Sequence, residues 1–136
     1  MSIILDTSFL IALNDAGDYK HKDAISLGSR IKNKEFGHCY ISDYIFDELM
    51  TLMRAKSINP NKIKEIGDSL LADETIELLR ADKEIFLQSW ELFKKSSNLS
   101  FTDCITITLV KEFKIKSLAS FDSGFDRITS IRRIEK

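Results

Sequence analysis

Four carboxylates, Asp6, Glu48, Asp103 and Asp122, occupy positions where an acid needs a reason to be. Asp6 directly follows residues 2–5, a short apolar β-branched run that reads as a strand, and Asp122 follows residues 116–121, at what should be the end of the fourth strand. Glu48 has Tyr44, Ile45, Thr51, Leu52 and Ala55 as its helical neighbours, which sets it over a largely apolar face, whereas Asp47 shares its face with Asp43 and Arg54. Asp103 stacks in the same way with Leu99, Thr106, Ile107 and Val110. A buried carboxylate is costly unless a cation, a hydrogen-bond donor or a proton accompanies it. Local structure offers each acid a competing role. Asp6 can cap the next helix, Asp122 can form an Asx-turn before Ser123 and Gly124, and Ser100-Phe101-Thr102-Asp103 fits a capping box. Glu48 can be a partly buried surface glutamate.

If a cleft at the strand ends collects the four, their mutual repulsion is relieved by a hard divalent cation. Oxygen ligands without His or Cys suit Mg²⁺ or Mn²⁺ and disfavour zinc. Such a site hydrolyses phosphodiesters by polarising the phosphate and activating a water. Competing chemistries lack their residues. There is no dinucleotide or Walker glycine motif and no G-x-S-x-G. His21 and His38 have no ligand-spaced partner, and Asp6 lacks the neighbouring acid that a phosphoacceptor receiver domain needs. Cys39 and Cys104, 65 positions apart in apolar surroundings, read as buried free thiols.

The elements that must position these acids alternate. After strand 2–5, Thr7 and Ser8 start a helix through Leu13, and residues 18–34 place Ala24, Ile25, Leu27 and Ile31 at helical spacing. Gly37 turns the chain into a strand at 38–41, Ser42 and Asp43 cap a helix over about 44–56, and Asn59-Pro60 opens another. A strand at 75–79 precedes a helix opened by Asp82, Ser100 caps a helix to Phe113, and strands at 115–121 and 129–134 end the chain. This alternation predicts one α/β domain over residues 1–136, with a central, mostly parallel sheet flanked by helices. Ligands of such sheets bind beyond the carboxyl ends of the strands, where Asp6 and Asp122 fall.

Composition agrees. With 136 residues, 43% hydrophobic and 30% charged, five Gly and one Pro, the chain can bury a core without staples. Twenty basic residues against twenty-one acidic ones give a net charge of -1, so no whole-molecule field recruits nucleic acid or membrane. The local exception is Arg127, Arg132, Arg133 and Lys136, which reads first as a solvated last strand with edge-protecting positive side chains. No apolar run spans a membrane and the first residues lack a signal-peptide pattern, so a cytoplasmic location is expected.

The ordered set, strand-Asp6-Thr7-Ser8, Glu48-Leu49 on a helix, Ser100-Phe101-Thr102-Asp103, then Ser120-Phe121-Asp122-x-x-Phe125, resembles the PIN domain and, at this length, the VapC-type toxins of prokaryotic toxin–antitoxin pairs. Ser120 stands where the family often has Thr, and the hydroxyl is kept. The resemblance implies a Mg²⁺- or Mn²⁺-dependent endoribonuclease with Asp6, Glu48, Asp103 and Asp122 as metal-site acids. Thr7, Ser8 and Thr102 would position water or phosphate. It also implies an RNA substrate, a small antitoxin protein as partner and a homodimer, with no membrane. The alternative is a non-catalytic module whose acidic cleft holds a metal or partner arginines.

Overall fold

The computed structural model describes residues 1–136. Strand β1 (Ser2–Leu5) is followed by helices α1 (Thr7–Asn14) and α2 (His21–Lys32), and β2 (His38–Ser42) by α3 (Asp43–Ala55) and α4 (Pro60–Ala72). Next come β3 (Ile76–Leu79), α5 (Lys83–Lys95), α6 (Phe101–Glu112), β4 (Ser117–Ala119), a 3-10 helix at Ser123–Arg127 and β5 (Arg132–Ile134). The five strands form one sheet in the order β3-β2-β1-β4-β5, and every pairing is parallel. Three consecutive residues of β1, Ile3, Ile4 and Leu5, are buried, as are all of β4, so both faces of the sheet centre are covered.

The sequence explains most helix starts. Ser42, Asn59, Asp82 and Ser100 each accept a backbone N–H from the first turn that follows, and Pro60 begins α4 where no donor is needed. Helices α1, α3 and α6 are joined through α3, which packs on both, while α5 packs on α6. Cys39 and Cys104 are buried and free, and burial pushes the Cys39 thiol up to about 12, so it is inert at neutral pH.

Several expected boundaries shift. The helix expected over 18–34 starts only at His21, because residues 15–20 are tied into turns by the Asp15 and Asp18 side chains, which accept the Gly17 and Lys20 N–H groups. The strands expected at 115–121 and 129–134 shrink to three residues each, and the 3-10 helix fills the space between them. Arg132 is exposed on the edge strand as expected, but Arg133 is not solvated. Its side chain, 12% exposed, bonds Asp126 and Glu135 at 2.7 Å and the Ser120 carbonyl at 3.1 Å. It therefore ties the edge strand to the end of β4.

The start of β2 depends on close approach. Gly37 has φ +77° and packs so tightly that a Cβ would lie 2.2 Å from the Met1 carbonyl oxygen, the acceptor of the His38 N–H. Gly37→Ala combines this clash with a left-handed conformation that costs an L-residue about 1–2 kcal/mol, so a loss of at least that size is expected. Gly67, inside α4, would meet Met50 and Phe46 only at 3.5 Å, and Gly67→Ala should gain about 0.5–1 kcal/mol from helix propensity. Urea unfolding of the two variants against wild type checks both: the midpoints should move in opposite directions.

Candidate active site

The sheet order has one switch point. From β1 the chain builds outward through β2 and β3, then crosses back to place β4 on the other side of β1. The crevice at such a point lies outside the carboxyl ends of the two strands that diverge, here β1 and β4. Their register pairs Leu5 with Ala119, and the Asp6 N–H donates to the Ala119 carbonyl at 3.0 Å. The next residues along, Asp6 and Ser120, are thereby set side by side.

Asp6 occupies the cap position of α1 but does not cap it; the expected alternative role is absent. Its carboxylate instead accepts two hydroxyls on Oδ2, from Ser120 at 2.7 Å and Ser8 at 2.9 Å. The two hydroxyl oxygens lie 3.2 Å apart. They also receive the next stretch of chain, Ser8 Oγ from the Phe121 N–H and Ser120 Oγ from the Asp122 N–H, each at 3.0 Å. Asp6 is 4% exposed. Burial pushes its carboxyl up from 3.8 to about 6, with the Asp103 charge adding to the rise and the Ser120 and Ser8 bonds opposing it.

Asp103 forms the capping box expected of it. Its carboxylate accepts the Ser100 N–H at 3.0 Å while its own N–H donates to Ser100 Oγ, completing the capping box. Burial and the neighbouring Asp122 charge raise its carboxyl above the usual range. Asp122 is exposed and forms the Asx-turn, accepting the Gly124 N–H at 2.8 Å. Asp6, Asp103 and Asp122 thus form an electrostatic chain, each link felt as like-charge repulsion.

The other candidates sit differently. Glu48 is half-buried on α3 beside buried Ile45 and Leu49, and its charge is not among those that raise Asp6 or Asp103. Ser8, expected to position water or phosphate, spends its hydroxyl on Asp6 and the Phe121 N–H, so it positions the acid instead. Thr7 is buried and its hydroxyl oxygen has no hydrogen-bond partner. Thr102 is half-buried at the start of α6, one residue before Asp103. Sequence reasoning saw Ser120 only as a motif residue; the β1–β4 register, which makes it an Asp6 ligand, is a long-range fact. His38 is exposed and Asp126 is bound to Arg133, so neither enters the site.

No three His, Cys, Asp or Glu side chains stand close enough to hold one ion directly. The donor set nonetheless fits a hard cation, since it is all oxygen and charge-crowded.

Burial of Asp6 makes the metal-free protein's stability depend on pH in a stated direction. Below pH 3.8 the carboxyl is protonated in folded and unfolded chains alike. Between 3.8 and about 6 the folded protein holds a proton that the unfolded chain has lost, so stability falls as pH rises. Above that window the penalty is complete, on the order of 3 kcal/mol. Unfolding in chelator from pH 4 to 7.5 should show this fall in wild type, and Asp6→Asn should remove about that much of it. Parallel pH profiles for the two proteins would refute the burial account.

Known proteins agree with this architecture. A family model for the PIN domain matches residues 3–131. A VapC ribonuclease of Archaeoglobus fulgidus is 25% identical over 128 residues, which span 92% of this chain and 80% of the relative. Among solved structures, VapC20 of Mycobacterium tuberculosis, a sarcin-ricin loop cleaving toxin, superposes with a TM-score of 0.84 at 20% identity, covering 98% of this chain and 99% of its own. VapBC2 of Rickettsia felis, bound to a promoter DNA fragment, gives 0.67 at 17% identity over 98% of each chain. FitAcB of Neisseria gonorrhoeae gives 0.67 at 16%, over 97% of this chain and 96% of its own. With the family model covering nearly the whole chain, this protein is a member of the PIN domain family.

Proposed function

We propose that the protein is an endoribonuclease, dependent on Mg²⁺ or Mn²⁺, that acts as the toxin of a toxin–antitoxin pair. The observation that carries this reading is the chain of mutually repelling carboxylates, Asp6, Asp103 and Asp122, at the switch point of a PIN-domain sheet. The VapC relative is itself a ribonuclease and supports RNA as the substrate class. The three aspartates would hold the ion. Glu48 would supply a fourth acid from α3, the helix that packs on both α1 and α6. Because no three acids are within direct reach of one ion, an ion that keeps several waters fits better than a fully caged one. Such an ion, when bound, polarises the phosphate and lowers the pKa of a water.

The protein's own part is orientation. Ser8 and Ser120 fix Asp6, Ser100 fixes Asp103, and the Gly124 N–H fixes Asp122, so the acids are held by protein donors before any ion arrives. Buried Thr7, with its unpartnered hydroxyl, and Thr102 are the remaining oxygens for water or phosphate. In this reading the chain works in the cytoplasm, where its RNA is. No helix is long and apolar enough to cross a membrane.

Purified protein should cleave RNA with Mg²⁺ or Mn²⁺, stop in chelator, and leave 5′-phosphate ends because the attacking oxygen is external. Asp103→Asn keeps a side-chain acceptor for the helix cap but removes a repelling charge. It should therefore abolish cleavage, melt no lower than wild type without metal, and gain less from added metal. Cyclic phosphate ends, undiminished cleavage in chelator, or an Asp103→Asn protein as active as wild type would each contradict the reading. Metal binding without cleavage of any RNA would favour the binding module.

Toxin function also requires a neutralising partner. The acid cleft attracts an Arg or Lys, and an open groove of about 890 Å³ between α3 and α4, lined by Phe46, Met50, Ile63 and Leu71 among others, suits the apolar face of a short helix. Phe86, Leu87 and Trp90 on α5, each about half exposed, offer a separate face for a second copy. Coexpression with the neighbouring reading frame should give a copurifying complex in which RNA cleavage is suppressed. A wild-type chain that expresses harmlessly alone, with no such partner, would count against the toxin assignment.

A further inference from the structure

Beside the acid cleft lies a smaller pocket of about 280 Å³, which has Asp122 alone of the four acids in its lining. Asp122 and Ser8 form its wall toward the cleft, and Phe121, Leu52, Tyr19 and Lys20 close much of the rest. We propose that this pocket is a nucleotide subsite, in which Lys20 meets a backbone phosphate flanking the scissile one and Tyr19 and Phe121 stack on its base. The proposal rests on RNA being the substrate and adds which residues grip the strand.

The pocket's size admits about one nucleotide rather than a longer segment or a folded partner. Lys20 is the one cation lining it, with its Nζ 5.6 Å from the Tyr19 ring centre and 5.7 Å from that of Phe121. Both distances are within cation–π range, so ring and charge are presented together. Its one ion pair, with Asp23 at 3.9 Å, is long and partly exposed, and Glu135 feels the Lys20 charge without a direct bond, so no close carboxylate occupies the ammonium. By contrast, Arg133 is consumed by Asp126 and Glu135. Tyr19 is 90% exposed, unusual for an aromatic side chain with no packing role, and an exposed π-face beside a cation is what single-stranded nucleic acid stacks on.

The subsite is also built rather than incidental. The 15–20 segment is pinned by the Asp15 and Asp18 side chains, and the His21 ring contacts the Ala12 carbonyl at 2.7 Å, fixing the start of α2 to α1. The Phe121 N–H donates to Ser8 Oγ, the same hydroxyl that holds Asp6. Stacking ring and catalytic acid therefore share one anchor, and a strand gripped at Phe121 is placed in register with Asp6. Two carboxylates, Asp18 and Asp122, also face the pocket; Asp18 is occupied by the Lys20 N–H, and Asp122 belongs to the acid chain that a cation neutralises.

Lys20→Gln and Tyr19→Ala test the subsite, read by fluorescence anisotropy of a labelled single-stranded RNA ten-mer with Mn²⁺, in an Asp6→Asn background that prevents turnover. Each should weaken binding about five-fold or more. Lys20→Gln alone should also flatten the slope of log K against log[salt] by about 0.7, which a structural role would not do. Melting curves should match the parent for Tyr19→Ala, whose ring is exposed, and stay close to it for Lys20→Gln, which keeps most of the half-buried stem. In the native background the same changes should raise KM and leave kcat within about two-fold. A parent that binds no ten-mer, or variants that bind with parental affinity and salt slope, would overturn the subsite. A protein that grips RNA through Lys20 yet cleaves none would keep the subsite and overturn the nuclease reading instead.

Discussion

One buried carboxylate sets the terms for the rest of the site. Asp6 emerges from the central strand at the point where the sheet reverses its order, with almost no solvent around it, and an isolated charge there would be several kcal/mol uphill. The chain answers with hydroxyls from two elements far apart in sequence, Ser8 and Ser120, both on the same carboxylate oxygen. Those hydroxyls in turn accept the Phe121 and Asp122 N–H groups, so the turn carrying Asp122 is fastened to the same point. Two opposed demands meet here. Burial favours a protonated Asp6, the two hydroxyl donors favour an ionised one, and the balance leaves the carboxyl near the neutral range, where a cation or a proton can tip it.

Local capping leaves an acid with acceptor positions to spare. At the sequence level, capping box and Asx-turn stood as competitors to a functional role for Asp103 and Asp122, because each motif already accounts for the carboxylate. In the structure both motifs form, and both acids still face like charge. A carboxylate has two oxygens and about four acceptor positions, so one backbone donor orients it without exhausting it. Asp6 shows the converse. It sits at the cap position, where sequence offers capping, yet the Ser8 and Ser120 hydroxyls capture its side chain and the cap bond is not made.

What was legible in the sequence was what local pattern controls. Strand and helix order, the caps at Ser42, Asn59, Asp82 and Ser100, and the strand-end location of Asp6 follow from periodicity and short-range hydrogen bonding. What was not legible depended on contacts between distant residues. Arg133 reads as a solvated edge cation until Asp126, Glu135 and the Ser120 carbonyl are seen around it. Ser120 reads as a strand-end serine until the Leu5–Ala119 register puts it beside Asp6. The β4 and β5 strands read too long because their apolar residues continue into turns that pack without pairing: Ile115 and Ile131 are buried yet lie outside the strands.

Glu48 marks the boundary of what a metal-free arrangement can bring together. Its helix position was read from neighbours on an apolar face, and the structure does place it half-buried beside Ile45 and Leu49, on the helix that bridges α1 and α6. No force in the protein alone pulls a fourth carboxylate toward Asp6, Asp103 and Asp122. Helix α3 supplies no donor that would hold it there, as Ser100 does for Asp103. Asp103 and Asp122 are fixed by backbone donors of their own turns, and Asp6 by the hydroxyls of nearby Ser8 and of Ser120 across the β1–β4 register. A glutamate in mid-helix has no free backbone N–H nearby, since those of α3 are already bonded along the helix. The longer Glu48 side chain is therefore left without the donors that fix the three aspartates.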